Sequence, residues 1–264
     1  MTDRSFRFSH AIARRPGADV TGGLRAVDTG APDLARMVAD HADYVAALRA
    51  TGADVTVLDA LPGHPDALFV EDTALCLPEG CIILRPGAPS RLDEAAAMAP
   101  HLEAVYRHAA RVEAPARIEG GDILVTGREI LVGGSARTDA AGIAALEAIV
   151  RPWGHTLREV VTPPGVLHFK TDCSVLDDET ILATERLAAS GCFDGYRVIL
   201  TAPGEEAAAN AVRFNDVVLM AAGFAATQER VVAAGYTVRA IGNAECAKLD
   251  GGMSCLSLRF SPGG

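Results

Sequence analysis

Cys255 stands in the run Lys248-Leu-Asp-Gly-Gly-Met-Ser-Cys255-Leu-Ser-Leu-Arg-Phe260, behind a glycine pair and at the head of an alternating apolar segment. Glycines let the backbone approach a ligand closely, so this placement can present the sulfur to a pocket. Taken alone, a cysteine at a strand start is more often a small buried filler. As a nucleophile it needs a partner, because a free thiol of pKa ~8.5 is only partly ionised at neutral pH and the leaving group must receive a proton. His168, in Gly165-Val-Leu-His-Phe-Lys-Thr-Asp172, is the best-placed histidine; the others fall on helical or loop segments. Carboxylates recur in three places: Asp66 with Glu71 and Asp72, Glu119 with Asp122, and Asp172. Acids gathered around a thiol raise its pKa by repulsion, which makes sense when the substrate is a cation that neutralises them. A guanidinium fits, since it is planar, permanently charged and offers a fork of donors to carboxylates.

For these groups to meet, the chain must bring distant segments together, and the sequence repeats itself in a way that does so. Around Asp72 it reads Glu-Asp-Thr-Ala-Leu-Cys-Leu, a Pro-Glu-Gly turn, then Cys-Ile-Ile-Leu. Around Asp122 it reads Gly-Asp-Ile-Leu-Val-Thr, a Gly-Arg-Glu turn, then Ile-Leu-Val-Gly-Gly. A third copy runs from Thr171-Asp172 through Asp177–Thr180 to Ile-Leu-Ala-Thr, and a fourth from Asn210 through Asn215-Asp216 to Val-Val-Leu-Met. Each copy is two short apolar runs about a compact polar turn, the pattern of a β-hairpin. The first three opening aspartates fall at 72, 122 and 172. Between hairpins, helical spacing is clear at Leu34, Met37, Val38, His41, Val45 and Leu48, with Asp33 as N-cap and Gly52 as C-cap, and again at Asp139–Val150 and Ala226–Gly235. Short strands follow at Asp54–Leu58 and Tyr236–Ala240. Hairpin, helix and strand units close by ranging themselves around an axis, which puts the hairpin starts, and their acids, at one end of a central channel.

Composition bounds the partners. The 264 residues carry 24 basic and 34 acidic side chains, a formal charge of −10, which argues against nucleic acid as a partner because phosphate neutralisation needs a basic face. With 49% apolar residues there is ample material for a packed core, in one or two domains. The mean hydropathy of +0.19 comes from dispersed alanine. The longest apolar stretch, Val217–Ala226, is broken by a glycine and falls short of the roughly 18 residues of a membrane span, so no membrane partner is expected. The first residues lack an apolar signal core and no Asn-x-Ser/Thr site occurs, so a cytoplasmic location is expected. The six cysteines, 76, 81, 173, 192, 246 and 255, form no Cys-x-x-Cys pair and are expected as reduced thiols. No metal motif, Gly-x-Gly-x-x-Gly fingerprint, P-loop or Gly-x-Ser-x-Gly elbow is present, so neither metal nor cofactor is expected.

Several short motifs, in order and spacing, complete the reading: Phe69-Val-Glu-Asp72, Arg85-Pro-Gly-Ala-Pro-Ser-Arg91, Glu119-Gly-Gly-Asp-Ile, Thr126-Gly-Arg-Glu129, Gly134-Ser-Ala-Arg-Thr138, Leu167-His-Phe-Lys170, Ala209-Asn-Ala and Asp250-Gly-Gly-Met-Ser-Cys255. With these the chain, from about Phe8 to Phe260, resembles the dimethylarginine dimethylaminohydrolases (dimethylargininases) of the guanidino-group-modifying, arginine-deiminase-like superfamily. The resemblance implies an α/β fold, the pentein propeller of five ββαβ units about a pseudo-fivefold axis, with residues 1–264 forming a single catalytic domain. It implies hydrolysis of dimethyl- or monomethyl-arginine to citrulline and an alkylamine, without cofactor. Cys255 would be the nucleophile, His168 the general acid and then base, and Glu119 its orienting partner. Asp72, with Glu71 nearby, would clamp the guanidinium; Arg91 and Arg137 would bind the α-carboxylate and Asp66 the α-amino group. The backbones of Leu24, in a Thr21-Gly-Gly-Leu-Arg lid, and of Leu249 would close the pocket. Relatives that deiminate unsubstituted arginine have an acid two residues after the histidine; Lys170 stands there, which favours a methylated guanidinium. Asp122 is expected to cap turn amides and Asp172 to lie at the rim. The oligomeric state stays open, with a homodimer among the alternatives. Two other functions stay open too: hydrolysis of another guanidino compound, such as plain arginine or a guanidino acid, and a catalytically idle propeller that binds a cationic amino acid.

Overall fold

Apolar runs without alternation make strands buried on both faces, and such runs form the middle of every sheet in the computed structural model, which describes residues 5–263. In chain order, β1 (His10–Arg14), α1 (Leu34–Arg49) and β2 (Asp54–Leu58) are followed by β3 (Ala74–Leu77), β4 (Gly80–Ile83), α2 (Leu92–Glu103) and β5 (Ala109–Arg111). Next come β6 (Ile123–Val125), β7 (Ile130–Gly133), α3 (Ala140–Val150) and β8 (Leu157–Val160), then β9 (Cys173–Val175), β10 (Thr180–Ala183), α4 (Glu185–Ala188) and β11 (Arg197–Leu200). The chain ends in β12 (Val212–Phe214), β13 (Val217–Ala221), α5 (Ala225–Ala233), β14 (Thr237–Ile241), α6 (Ala244–Ala247) and β15 (Leu258–Phe260). The four expected hairpins are all present. So is the expected helix start at Asp33, whose side chain accepts the Arg36 amide at 3.0 Å; Asp139 caps α3 likewise through Gly142 at 2.8 Å.

These strands form five separate three-stranded sheets: β3-β4-β5, β6-β7-β8, β9-β10-β11, β12-β13-β14 and β15-β1-β2. Each middle strand pairs antiparallel with the strand before it in its unit and parallel with the strand after the helix. β4, β7 and β10 are buried throughout. The fifth sheet is assembled from both ends of the chain, with β1 antiparallel to β15 in the register His10↔Phe260 and parallel to β2. Helix α2, outside the sequence-based expectations, packs Ala95, Met98, Ala99 and Leu102 against Val70, Ala74 and Cys81. Burying Met98 or Leu102 fully contributes roughly 2 kcal/mol each.

A short 3-10 turn precedes the first strand of every sheet: Val70–Thr73, Gly120–Asp122, Phe169–Thr171, Glu206–Ala209 and Ser254–Leu256. The first turn touches the second and the fifth, the second touches the third, and the third touches the fourth. An Asn210–Ser254 hydrogen bond links the fourth to the fifth. The five turns therefore form a ring at one end of the sheets, and the residues singled out for chemistry lie on or beside it.

Candidate active site

Next to the ring lies a pocket of about 170 Å³, bounded by Cys255, His168, Asp72, Asp66, Arg91, Arg137, Leu249 and Leu24, with Phe69, Leu167, Arg25, Ala26, Asp250 and Gly251 completing the wall. Eight of the ten residues picked out from the sequence thus converge. Glu119 stands behind this wall and bonds two of its residues, His168 and Arg137, whereas Glu71 lies outside it.

His168 is held from below and behind. A Cβ on Gly121 would lie 2.8 Å from the imidazole Cγ, so only a glycine lets the ring rest on that backbone. Its Nε2 is 2.6 Å from Glu119 Oε2. Glu119 is fully buried and also accepts the Gly87 amide at 2.9 Å and an Arg137 Nη1 bond at 3.4 Å. Burial works to raise the Glu119 pKa, but the His168 hydrogen bond and charge, with Arg91 and Arg137, hold it well below the usual carboxylate range. Burial would likewise lower His168; the charge of Asp72, the Glu119 hydrogen bond and the charge of Asp122 prevail and raise it to about 9.

Asp72 is fixed from two sides, by Arg91 Nη1 at 2.6 Å and the Gly121 amide at 2.8 Å. Arg91 is in turn committed through Nε to Glu94 at 2.9 Å and through Nη2 to the Phe69 carbonyl at 2.8 Å. Glu94, a partner the sequence does not announce because an i,i+3 Arg–Glu pair reads as surface, is buried, and burial raises it to about 7 against the pull of Arg91. Arg137 is the less committed arginine, with 21% of its side chain exposed.

Two expectations are corrected. Glu71 does not line the pocket. Its Oε1 meets Lys170 Nζ at 2.6 Å and Arg259 Nη2 at 2.5 Å, and its Oε2 accepts Ser254 Oγ at 2.7 Å, so it forms part of a charged floor. Asp172 is not at the rim but 1% exposed, gripped by Arg186 through Nε at 2.5 Å and Nη2 at 2.6 Å and by Thr184 Oγ1 at 3.0 Å. Asp122 takes the Phe169 amide at 2.9 Å and the hydroxyls of Ser135 and Thr138, both at 2.6 Å.

Cys255 is partly exposed to the pocket and all six cysteines are free thiols. Burial first, then the anions Glu71 and Asp72, push its thiol up to about 12. The lid is tethered to the site: the Leu24 amide donates to Asp66 Oδ1 at 2.9 Å and the Ala26 amide to Asp250 Oδ2 at 2.5 Å. Asp72, Glu119 and His168 bring donor atoms within 4.8 Å of one another, a spacing that could hold a metal ion. Those atoms are already engaged with Arg91, Gly121 and each other, so a metal would have to displace these bonds.

Residues 61–221 match the family model of arginine deiminase. The chain is 37% identical to the N(G),N(G)-dimethylarginine dimethylaminohydrolase of Pseudomonas aeruginosa over 96% of its length and 100% of that protein's. It is 32% identical to the enzyme of that name from Streptomyces coelicolor, over 95% and 96%. A crystal structure of the Pseudomonas aeruginosa enzyme, a cysteine-to-serine mutant complexed with citrulline, superposes with a TM-score of 0.94 at 36% identity, covering 97% of this chain and 100% of that one. The N-terminal domain of the cyanobacterial arginine dihydrolase ArgZ shares the fold, with a TM-score of 0.83 at 19% identity. The chain belongs to the arginine deiminase family and, within it, to the dimethylarginine dimethylaminohydrolases. Its five small sheets are the pentein arrangement of that family. Among the described residues no helix is long and apolar enough to cross a membrane.

Proposed function

We propose that the chain, acting as one catalytic domain in the cytoplasm, hydrolyses Nω,Nω-dimethyl-L-arginine and Nω-monomethyl-L-arginine to L-citrulline and dimethylamine or methylamine. The observation that carries this is the polarity of one pocket. The thiol, the imidazole and the Asp72 carboxylate line it together with Arg91, Arg137 and Asp66, so that cation-binding and anion-binding groups share one wall. A guanidinium-tailed amino acid is complementary to such a pocket. Asp72 takes the unsubstituted guanidinium nitrogens, Arg137 with the remaining N–H of Arg91 takes the α-carboxylate, and Asp66 with the backbones of Leu24 and Leu249 takes the α-amino group. Lys170, two residues after His168, is turned to Glu71, so it offers no acceptor to a second nitrogen. Alkyl groups lose nothing there.

The charges also explain how the thiol is activated. Acids that keep Cys255 protonated in the empty pocket are neutralised when a cation binds, and the thiol then ionises, releasing its proton to solvent while His168 stays protonated. The sulfur attacks the guanidinium carbon, and the bond to the alkylated nitrogen breaks as His168 hands its proton to the departing amine. An S-alkylthiouronium remains on Cys255. Water attacks the same carbon and gives one proton to His168; the C–S bond breaks, returning the thiolate, and the ureido group sheds the second water proton to solvent as citrulline leaves. Glu119 keeps the imidazole aligned and stabilises its cation, while the Glu71–Lys170–Arg259 floor stays in place.

Incubation with Nω,Nω-dimethyl-L-arginine should yield equal amounts of citrulline and dimethylamine, and Cys255→Ala or His168→Ala should abolish both without unfolding the protein. Ammonia released only from unsubstituted arginine would replace the proposal with a deiminase. A melting-temperature rise without turnover would replace it with a binding protein. The electrophile 2-chloroacetamidine, a guanidinium mimic, should add once, on Cys255.

A further inference from the structure

The ring of 3-10 turns supplies one polar side chain from each unit: Asp72 from the first, Glu119 from the second, His168 from the third, Cys255 from the fifth. The fourth unit supplies Asn210, directly after its turn, and none of the chemistry above uses it. Asn210 is nine-tenths buried. Its Oδ1 accepts the amide of Ser254 at 2.9 Å, one residue before the nucleophile, and its amide plane lies so close to Gly252 that a Cβ there would collide with Asn210 Cγ and Nδ2. Asn243 Nδ2 grips the same segment through the Gly251 carbonyl at 2.9 Å.

The Phe69 ring presses on Gly251 from the catalytic side. On the other side Gly251 and Gly252 border a second cavity, of about 430 Å³, which Asn210 and Asn243 also line. On that side the backbone leading to Cys255 is held by the two asparagines, while Met253 and Leu256 anchor the turn itself in the core. Ser254 is pinned three times, through its amide by Asn210, through its hydroxyl by Glu71 at 2.7 Å and through its carbonyl by Arg259 Nη1 at 2.8 Å; the Asn210 bond is the one supplied by the fourth unit.

We propose that Asn210 is the positioning residue of the Cys255 nucleophile, the fourth unit's contribution to the catalytic ring. The inference rests on reading Cys255 as the nucleophile. Loss of the acceptor oxygen frees the Ser254 amide and lets the sulfur drift from the guanidinium carbon, while the groups that bind substrate stay where they are. Misplacement by about 1 Å can cost roughly a hundredfold in rate, so kcat should fall much more than KM rises.

The test compares Asn210→Ala and Asn210→Asp with Thr227→Ala, which removes a buried hydroxyl of the same unit that accepts the Ala202 amide at 2.9 Å. For each, kcat, KM, melting temperature and the rate of 2-chloroacetamidine addition to Cys255 are measured. Asn210→Ala should lower kcat about 30-fold and slow alkylation in parallel, with KM within about threefold; Thr227→Ala should lower the melting temperature and keep kcat. Asn210→Asp retains the acceptor but adds a charge to Glu71 and Asp72 against Lys170 and His168, so its activity should recover toward wild type as pH rises, with KM unchanged. Should Asn210→Ala fail to fold, that displaced pH profile alone decides. Equal kcat losses in Asn210→Ala and Thr227→Ala, alkylation unchanged in Asn210→Ala, or a wild-type pH profile in Asn210→Asp would each overturn the proposal. Failure of the underlying function looks different, because the wild-type protein itself would then not turn over methylarginine.

Discussion

His168 Nε2 and Glu119 Oε2 are 2.6 Å apart, joined across 49 residues of sequence and the boundary between two sheets. The carboxylate is fully buried, and the pair acts as one unit in which the acid fixes the ring and favours its protonated form. Glu119→Gln keeps the shape and removes the charge. The expected result is a fall in kcat of roughly 10- to 100-fold with KM within about threefold, checked by steady-state kinetics. A loss confined to KM would show that Glu119 serves substrate binding instead.

The two arginines of the pocket should separate cleanly. Arg91 is inside a buried network with Asp72 and Glu94, and removing one member of such a network strands the others at a cost of about 3–5 kcal/mol. Arg91→Ala should therefore lower the melting temperature by roughly 10 °C. Arg137, whose side chain is tied among the described residues only through a long bond to Glu119, should behave oppositely: Arg137→Ala raises KM on the order of 100-fold with the melting temperature within about 2 °C. Calorimetry beside kinetics decides between them.

The pH dependence of kcat/KM follows from the same charges. With His168 raised to about 9 and Cys255 to about 12, the empty enzyme at neutral pH holds a thiol and an imidazolium, one proton more than the reactive pair. The value of kcat/KM should climb about tenfold per pH unit from neutrality and level near pH 9. A flat profile from pH 6 to 9 would mean a thiolate already present at rest.

Acid stability should depend on a residue far from the chemistry. Burial, chiefly, lowers His41 to about 4 from its ordinary 6.5, so between those values the unfolded chain binds a proton that the folded chain does not. Stability then falls as pH drops through that window, by up to roughly 3 kcal/mol. His168 does not change this limb, because a raised folded pKa gives a contribution that is complete below 6.5 and is lost only as pH rises toward 9. Urea unfolding of His41→Leu between pH 4.5 and 7 should show a much flatter slope than wild type.

How much of this was legible in the sequence depended on whether the signal was local. Four hairpins showed because each lies within about 15 residues and opens on a polar residue, whereas the fifth pairs His10 with Phe260 and leaves no local period to find. Helix α2 was missed although Ala95, Met98, Ala99 and Leu102 keep helical spacing, because alanines carry little apolar contrast and Pro100 lies inside it. Cys255 and His168 could be found from their glycine-rich and hairpin-entry contexts. Glu71 and Asp172 were misplaced since their partners, Lys170, Arg259 and Arg186, are identified only by tertiary contact.

The sheet shared by both chain ends orders events during synthesis. The histidine and every acid of the pocket precede the cysteine in translation, and β1 has no antiparallel neighbour until β15 arrives. A nascent polypeptide stalled before residue 255 would display a negatively charged cup able to attract cations but holding no sulfur to attack them. Reactivity begins only once residues 255–260 have been made and β15 bolts the circle shut against β1.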